Sequence, residues 1–174
     1  KTRGRNKFKK LIKFGKNYKQ LLSKIEKDYS SHKDTKEKQI AMILKIIIDC
    51  NFRIGNDKYT RDNNSYGVTT LKKKHIKHDK KNIIIDFIGK KGVRNKCIVK
   101  NVIVKNNLKT KKKLKNNDNI FSYKSHQIKS NDVNEYLKEF GNYTTKNFRT
   151  WSANIEFIQL ALKYNDLNIC IKKV

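Results

Sequence analysis

The chain contains no proline among its 174 residues, where average usage of ~5% would place roughly nine. Glycine is also scarce, at 7 residues, while lysine, asparagine and isoleucine are over-used. An A+T-rich coding genome produces this bias, so part of the positive charge is attributed to codon usage. Carboxylates are few as well: 15 Asp+Glu stand against 43 Lys+Arg, a formal net charge of +28. Such an excess attracts polyanions, nucleic acid first and an anionic membrane surface second. The three cysteines, Cys50, Cys97 and Cys170, are odd in number and far apart. They suggest neither a disulfide framework nor a CxxC metal site, and a reducing compartment fits them best. No hydrophobic run reaches the ~20 residues that cross a bilayer, since the longest, Ile40 to Ile48, is broken by Lys45. No secretory signal is visible, and the chain opens at Lys1 in a charged stretch. It is therefore expected to be a portion of a longer protein.

What is present is enough for a fold. Hydrophobic residues make up 36%, below the usual ~45–50% but sufficient for a modest core. Tyr18, Leu21, Leu22, Ile25 and Tyr29 predict an amphipathic helix over Asn17 to Tyr29. Ser30 to Asp34 ends it. Asp34 with Glu37 reads as a capping box before a helix over Lys36 to Asn51, apolar almost all round as a central buried helix is. A short polar helix follows Gly55 through Tyr59 to Asn63.

The texture then changes. Val68 to Leu71, His75 to Lys77, Ile83 to Ile88 and Lys96 to Val99 are β-branched runs separated by Asp79-Lys80-Lys81 and Gly89-Lys90-Lys91-Gly92. They predict an antiparallel sheet of about three strands. Lys105 to Asn117 reads as helix or solvated loop, and Ile120 to Tyr123 as an apolar island. Ser130 to Phe140 and Thr144 to Tyr164 predict two helices, the second striped by Phe148, Trp151, Ile155, Ile158 and Leu162. The fold class expected is α+β and mostly helical. The chain divides into a helical part (1–67), a small β-sheet carrying Lys90 (68–104) and a helical part carrying Arg149 (105–174).

A lone arginine after a buried helix, as in Arg53-Ile54-Gly55, reads as a surface ion pair or a phosphate contact. Its context changes that. Downstream come Ser65-Tyr66-Gly67-Val68-Thr69-Thr70-Leu71, Lys73-Lys74-His75-Ile76, Phe87-Ile88-Gly89-Lys90 and Thr145-Lys146-Asn147-Phe148-Arg149-Thr150-Trp151. Together these resemble the type IB DNA topoisomerases of poxvirus-like and bacterial kind, in the right order and across nearly the whole chain. Gly4-Arg5-Asn6-Lys7-Phe8 resembles a degraded form of the family's G-R-x-Q-Y element. With the A+T bias, the resemblance points to a large DNA virus as source.

The resemblance implies the catalytic-domain fold of the DNA breaking-rejoining kind, shared with tyrosine recombinases. It implies ATP- and metal-independent nicking and religation of duplex DNA through a 3′-phosphotyrosyl bond, with no cofactor and no membrane partner. Arg53, Lys90 and Arg149 fall on the family's catalytic cations. Two guanidinium forks suit an anionic phosphoryl transition state, and a lysine of lowered pKa suits protonation of the leaving 5′ oxygen. Arg5, Tyr59, Lys72, Lys73, Lys74, His75 and Lys146 are expected to bind DNA, His75 in a structural or phosphate-contacting role rather than as acid or base. Asn147 replaces the family's aspartate. A monomer is expected, in an intracellular, DNA-containing compartment: a virion or viral factory for a viral protein, nucleus or cytoplasm otherwise.

The family's nucleophilic tyrosine, preceded by a phosphate-binding histidine, lies further along than the 25 residues separating Arg149 from Val174. It is therefore expected beyond this chain, which alone would be inactive. Tyr164 shares a predicted helix with Arg149, about four turns away at ~5.4 Å per turn, and is rejected as nucleophile. The alternatives are a noncatalytic DNA-binding relative that keeps the phosphate clamp and, third, a tyrosine recombinase.

Overall fold

Helical apolar spacing at the start of the chain continues further than the predicted stripe. The structure, a computed structural model, covers residues 2–79 and 81–164; Lys80 and the stretch containing Cys170 lie outside the described residues. Helix α1 runs Thr2–Tyr29 rather than from Asn17, because Leu11 and Phe14 extend the buried row of Leu21, Ile25 and Tyr29 toward the N-terminus.

Helix α2 (Lys36–Cys50) is the organising element, with Ile40 through Leu44, Ile46 and Ile47 all buried. It packs against α1. Its cap differs from the predicted capping box. Thr35 is the N-cap and accepts from the Lys38 amide at 3.1 Å, while Asp34 accepts from Gln39 Nε2 at 2.5 Å. The hydroxyl one residue later reaches the free amides of the first turn, which leaves the aspartate to satisfy a buried amide side chain.

A short helix α3 (Asp57–Asn63) follows. The expected strand at Val68 to Leu71 is instead a tight helical turn over Val68–Thr70. The amides of Val68 and Thr69 donate to the carbonyls of Arg53 and Ile54, at 3.0 and 2.7 Å. Those bonds bind the segment to the preceding loop and preclude a ladder. A second such turn, Lys73–His75, leads into β1 (Ile76–Asp79), β2 (Asn82–Ile88) and β3 (Arg94–Ile98), an antiparallel sheet in the order β1-β2-β3. Ile83, Ile85 and Phe87 face the core. On the other face Asp86 binds Lys77 of β1 and Arg94 of β3, each at 2.7 Å, tying all three strands together. Those hydrogen bonds hold its carboxyl far below the usual carboxylate range.

The Lys-rich stretch resolves into helix α4 (Val102–Thr110) and a tight turn at Lys111–Lys113. The apolar island is buried at Ile120 and Phe121 and leads into a small hairpin of β4 (Ser122–Tyr123) and β5 (His126–Gln127). Helices α5 (Ser130–Lys138) and α6 (Thr145–Tyr164) close the fold against α2. The α6 stripe is buried only at its start: Phe148 is 3% exposed, whereas Ile158 and Leu162 are 52% and 84% exposed. No described helix is long and apolar enough to cross a membrane.

One expectation fails outright. Cys50 and Cys97 form a disulfide, joining the end of α2 to β3 with their Cα atoms 5.8 Å apart. A pair 47 residues apart carries no spacing signal, and only the tertiary fold, in which Phe52 just past α2 meets Phe87 of β2, brings the two together.

Candidate active site

Arg53 follows α2, whose C-cap Asn51 adopts a left-handed conformation with φ 56° and ψ 26°. Asparagine tolerates that conformation and turns the chain sharply out of the helix. Arg53 and Ile54 are then clamped by the Val68 and Thr69 amides. The clamp depends on Gly67, where a Cβ would lie 2.3 Å from the Gly55 amide nitrogen and 2.7 Å from the Arg53 carbonyl oxygen. Only glycine permits that approach of two backbones. The Ser65-Tyr66-Gly67-Val68-Thr69-Thr70 segment is thus the bracket that holds the Arg53 loop.

Lys90 sits in the β2–β3 connection. Gly89 donates to the Val93 carbonyl at 2.8 Å, and the tip turns through Lys91 and Gly92 with φ 62° and 72°. The bracket reaches this hairpin too, because the Tyr66 amide donates to Ile88 at 2.9 Å.

Arg149 lies one turn into α6. Trp151 anchors that turn by packing against Gly15 of α1, where a Cβ would come within 2.2 Å of its ring, and beside Tyr18 at 5.9 Å between centroids. Phe148 meets Phe14 edge-on at 5.1 Å. Asn147 Oδ1 accepts from the Thr144 amide at 2.9 Å, so at this helix end the amide satisfies a free backbone donor without a carboxylate. Arg149 Nε donates to the Asn51 carbonyl at 2.8 Å. Burial and the nearby Arg53 pull the Arg149 guanidinium below its ordinary value.

These three cations, from segments far apart in sequence, line one cleft of about 730 Å³. Tyr59, Lys91 and Lys146 line it as well, and its described lining includes no carboxylate. A facing wall of Ser130, Asn131, Asn134 and Thr145 supplies neutral hydrogen-bonding groups. Unneutralised cations converging on a concave surface attract an extended anion and are suited to hydrogen-bond a phosphoryl group. Among the described residues no group of His, Cys, Asp and Glu could hold a metal ion.

Arg5, Lys72, Lys73, Lys74 and His75 are not on that lining. Arg5 is exposed on α1. Lys72 Nζ donates to Asn119 Oδ1 at 2.6 Å, and Lys74 lies over the Tyr66 ring. His75 is buried, accepts from the Lys72 amide through Nδ1 at 3.0 Å, and presses edge-on against Tyr66 at 4.4 Å. Burial, with Lys74 and Lys72 nearby, pushes its pKa down to about 4, so the ring is neutral near pH 7. It reaches the cleft through Tyr66. Sequence reasoning missed Asn51, although an asparagine just past a helix is a left-handed cap signal. It also missed Asn131 and Asn134 of the facing wall, which carry no signal apart from their placement. Tyr164 ends helix α6 fifteen residues, or ~22 Å, beyond Arg149.

The family model and the sequence relatives agree on one family. The family described as "Eukaryotic DNA topoisomerase I, catalytic core" matches residues 1–170. The DNA topoisomerase 1B of Acanthamoeba polyphaga mimivirus is 32% identical over 169 residues, covering 91% of this chain and 50% of that protein. The DNA topoisomerase I of Monkeypox virus is 30% identical over 122 residues, covering 69% of this chain and 37% of that protein. The chain thus spans half or less of the length of these relatives. Among solved structures, the XerH site-specific recombinase bound to its difH substrate superposes with a TM-score of 0.50 at 18% identity, covering 93% of this chain and 44% of that one. That likeness places the fold with the tyrosine recombinases, whose breaking-rejoining fold type IB topoisomerases share. The chain belongs to the type IB DNA topoisomerase family and is a portion of its catalytic core.

Proposed function

We propose that this chain supplies the phosphate clamp of a type IB topoisomerase that nicks one strand of duplex DNA, permits rotation and religates it, relaxing supercoils without ATP or metal. The observation that carries the reading is the convergence of Arg53, Lys90 and Arg149 on one carboxylate-free cleft. In the proposed step a tyrosine oxygen attacks phosphorus and forms the 3′-phosphotyrosyl bond as the 5′ oxygen leaves. Arg53 and Arg149 hold the non-bridging oxygens, whose charge grows in the transition state. Lys90 gives a proton to the departing 5′ oxygen and takes it back on religation. The attacking tyrosine is proposed to come from outside the 174 residues, because Tyr164 is held ~22 Å along α6 from Arg149. Tyr59 and Lys146 contact the DNA backbone near the scissile phosphate, and Arg5, Lys72, Lys73 and Lys74 add nonspecific phosphate contacts around it. His75 serves by holding Tyr66. The protein acts as a monomer in an intracellular compartment that contains DNA.

The test is incubation of the chain with an end-labelled suicide duplex, without metal or nucleotide, read by gel shift and by denaturing gel. Salt-sensitive binding without a covalent adduct is the expected result, with an adduct appearing in a longer form that includes the tyrosine. If that longer form binds duplex yet leaves no adduct, the noncatalytic alternative replaces the enzyme. No duplex binding even at low salt would remove the reading altogether.

A further inference from the structure

The clamp is stapled by a bond that its chemistry does not require. Cys50 ends α2 and is followed by Asn51, whose carbonyl holds Arg149, and by Arg53 two residues later. Cys97 lies on β3 opposite Ile85, in the hairpin whose connection carries Lys90. The disulfide therefore closes a loop of chain containing Arg53, the Gly67 bracket and Lys90, and its α2 end adjoins the anchor of Arg149. It spans the junction between the half of the site delivered by α2 and α6 and the half delivered by the sheet. The same junction has a noncovalent contact, Phe52 against Phe87 at 5.0 Å between centroids, so it need not come apart when the bond opens. Both sulfurs belong to half-buried residues, within reach of a small thiol.

We propose that Cys50–Cys97 is a reversible redox-modification site that positions the clamp: the bonded form fixes Lys90 against the Arg53–Arg149 pair, and the dithiol form loosens it. This rests on the reading of the cleft as a DNA site. The partner is a low-molecular-weight thiol–disulfide couple. In closing, the thiolate of one cysteine attacks a sulfur of the small disulfide and releases one small thiol. The second cysteine's thiolate then attacks the resulting mixed disulfide and releases the other. The protein pair loses two electrons and two protons, and the small disulfide gains them as two thiols. Opening is the reverse. A looser junction must be ordered each time a duplex binds, which lowers affinity without removing any charge.

The experiment equilibrates the chain in oxidised or reduced glutathione, counts free thiols, and measures affinity for a short fluorescent duplex at a temperature where circular dichroism shows both forms folded. The bonded form should expose one titratable thiol and the reduced form all three, the chain having three cysteines. Reduction should weaken duplex binding about fivefold with an unchanged salt slope, because preorganisation is lost and the phosphate contacts are not. Reoxidation should restore it. Cys97→Ser should bind like the reduced form in either buffer, which a staple serving stability alone would not produce in folded protein. Three free thiols in the oxidised buffer would overturn the proposal, as would equal affinity in both states with the thiol count changed. Absence of duplex binding in both folded forms would instead overturn the reading of the cleft, and the proposal with it.

Discussion

The two halves of the cleft hold their cations in different ways. On the helical side, Arg149 is half-buried, bonded to the Asn51 carbonyl and anchored by Trp151 and Phe148 on α1, while the backbone of Arg53 is locked by the Gly67 bracket. On the sheet side, Lys90 is exposed at a hairpin tip whose own turn residues take left-handed angles. The contrast fits the division of labour proposed above. Guanidiniums that stabilise charge gain from being fixed before the reaction, since reorganising them would cost free energy in the transition state. A group that gives and recovers a proton must come within hydrogen-bond reach of the leaving oxygen, which an exposed side chain on a hairpin held at its base can do.

If that division is right, the two halves should fail differently. The largest effect is expected for Arg149→Ala in a form that contains the tyrosine: cleavage should fall by ~10²–10³-fold while noncovalent duplex affinity falls only severalfold. Single-turnover cleavage beside a binding titration separates the two, and equal losses in both would end the clamp assignment. Lys90→Ala should slow cleavage by about 10²-fold and recover with a 5′-bridging phosphorothiolate, whose sulfur leaves without needing a proton. Rescue of Arg149→Ala by the same substrate, or none for Lys90→Ala, would erase the distinction between the halves.

Stability should divide along the same line. His75, on the sheet side, has its folded pKa depressed to about 4 from 6.5, so the unfolded chain binds more protons between those values. Its contribution is complete above pH 6.5 and is lost as pH falls toward 4, on the order of 3 kcal/mol in all. Denaturant titrations across that range should show a slope that His75→Gln flattens. On the helical side, Gly67→Ala forces two backbones apart and should cost about 1–3 kcal/mol, read as a lower melting temperature. The smallest change is Asn51→Ala, about 1 kcal/mol from the left-handed cap, with Asn51→Gly near neutral. A larger loss for Asn51→Gly than for Asn51→Ala would mean that its side chain, rather than its conformation, matters there.

Much of this is legible in the sequence. Periodicity located α2, α5, α6 and the three-stranded sheet, since a buried stripe or a β-branched run leaves its mark within a few residues. The Arg53, Lys90 and Arg149 motifs were visible because each sits in a local context of glycine turns and aromatic anchors. The bracket reads as a strand in the sequence because Val68-Thr69-Thr70 has β-prone residues, but its amides are taken by a distant loop. The stripe of α6 suggested burial along its whole length, although periodicity says which residues share a face and nothing about whether a neighbour covers it.

Local chemistry thus dictated the elements, their charge and the residue types available for a phosphate. Bringing Arg53, Lys90 and Arg149 to one cleft depended on contacts between distant segments: Trp151 on Gly15, Gly67 on Gly55, Arg149 on Asn51. The Cys50–Cys97 bond belongs to the same class. Such contacts are set by how rigid elements pack in three dimensions, and a packing partner 47 residues away in one case and 98 in another leaves no periodic trace in the chain.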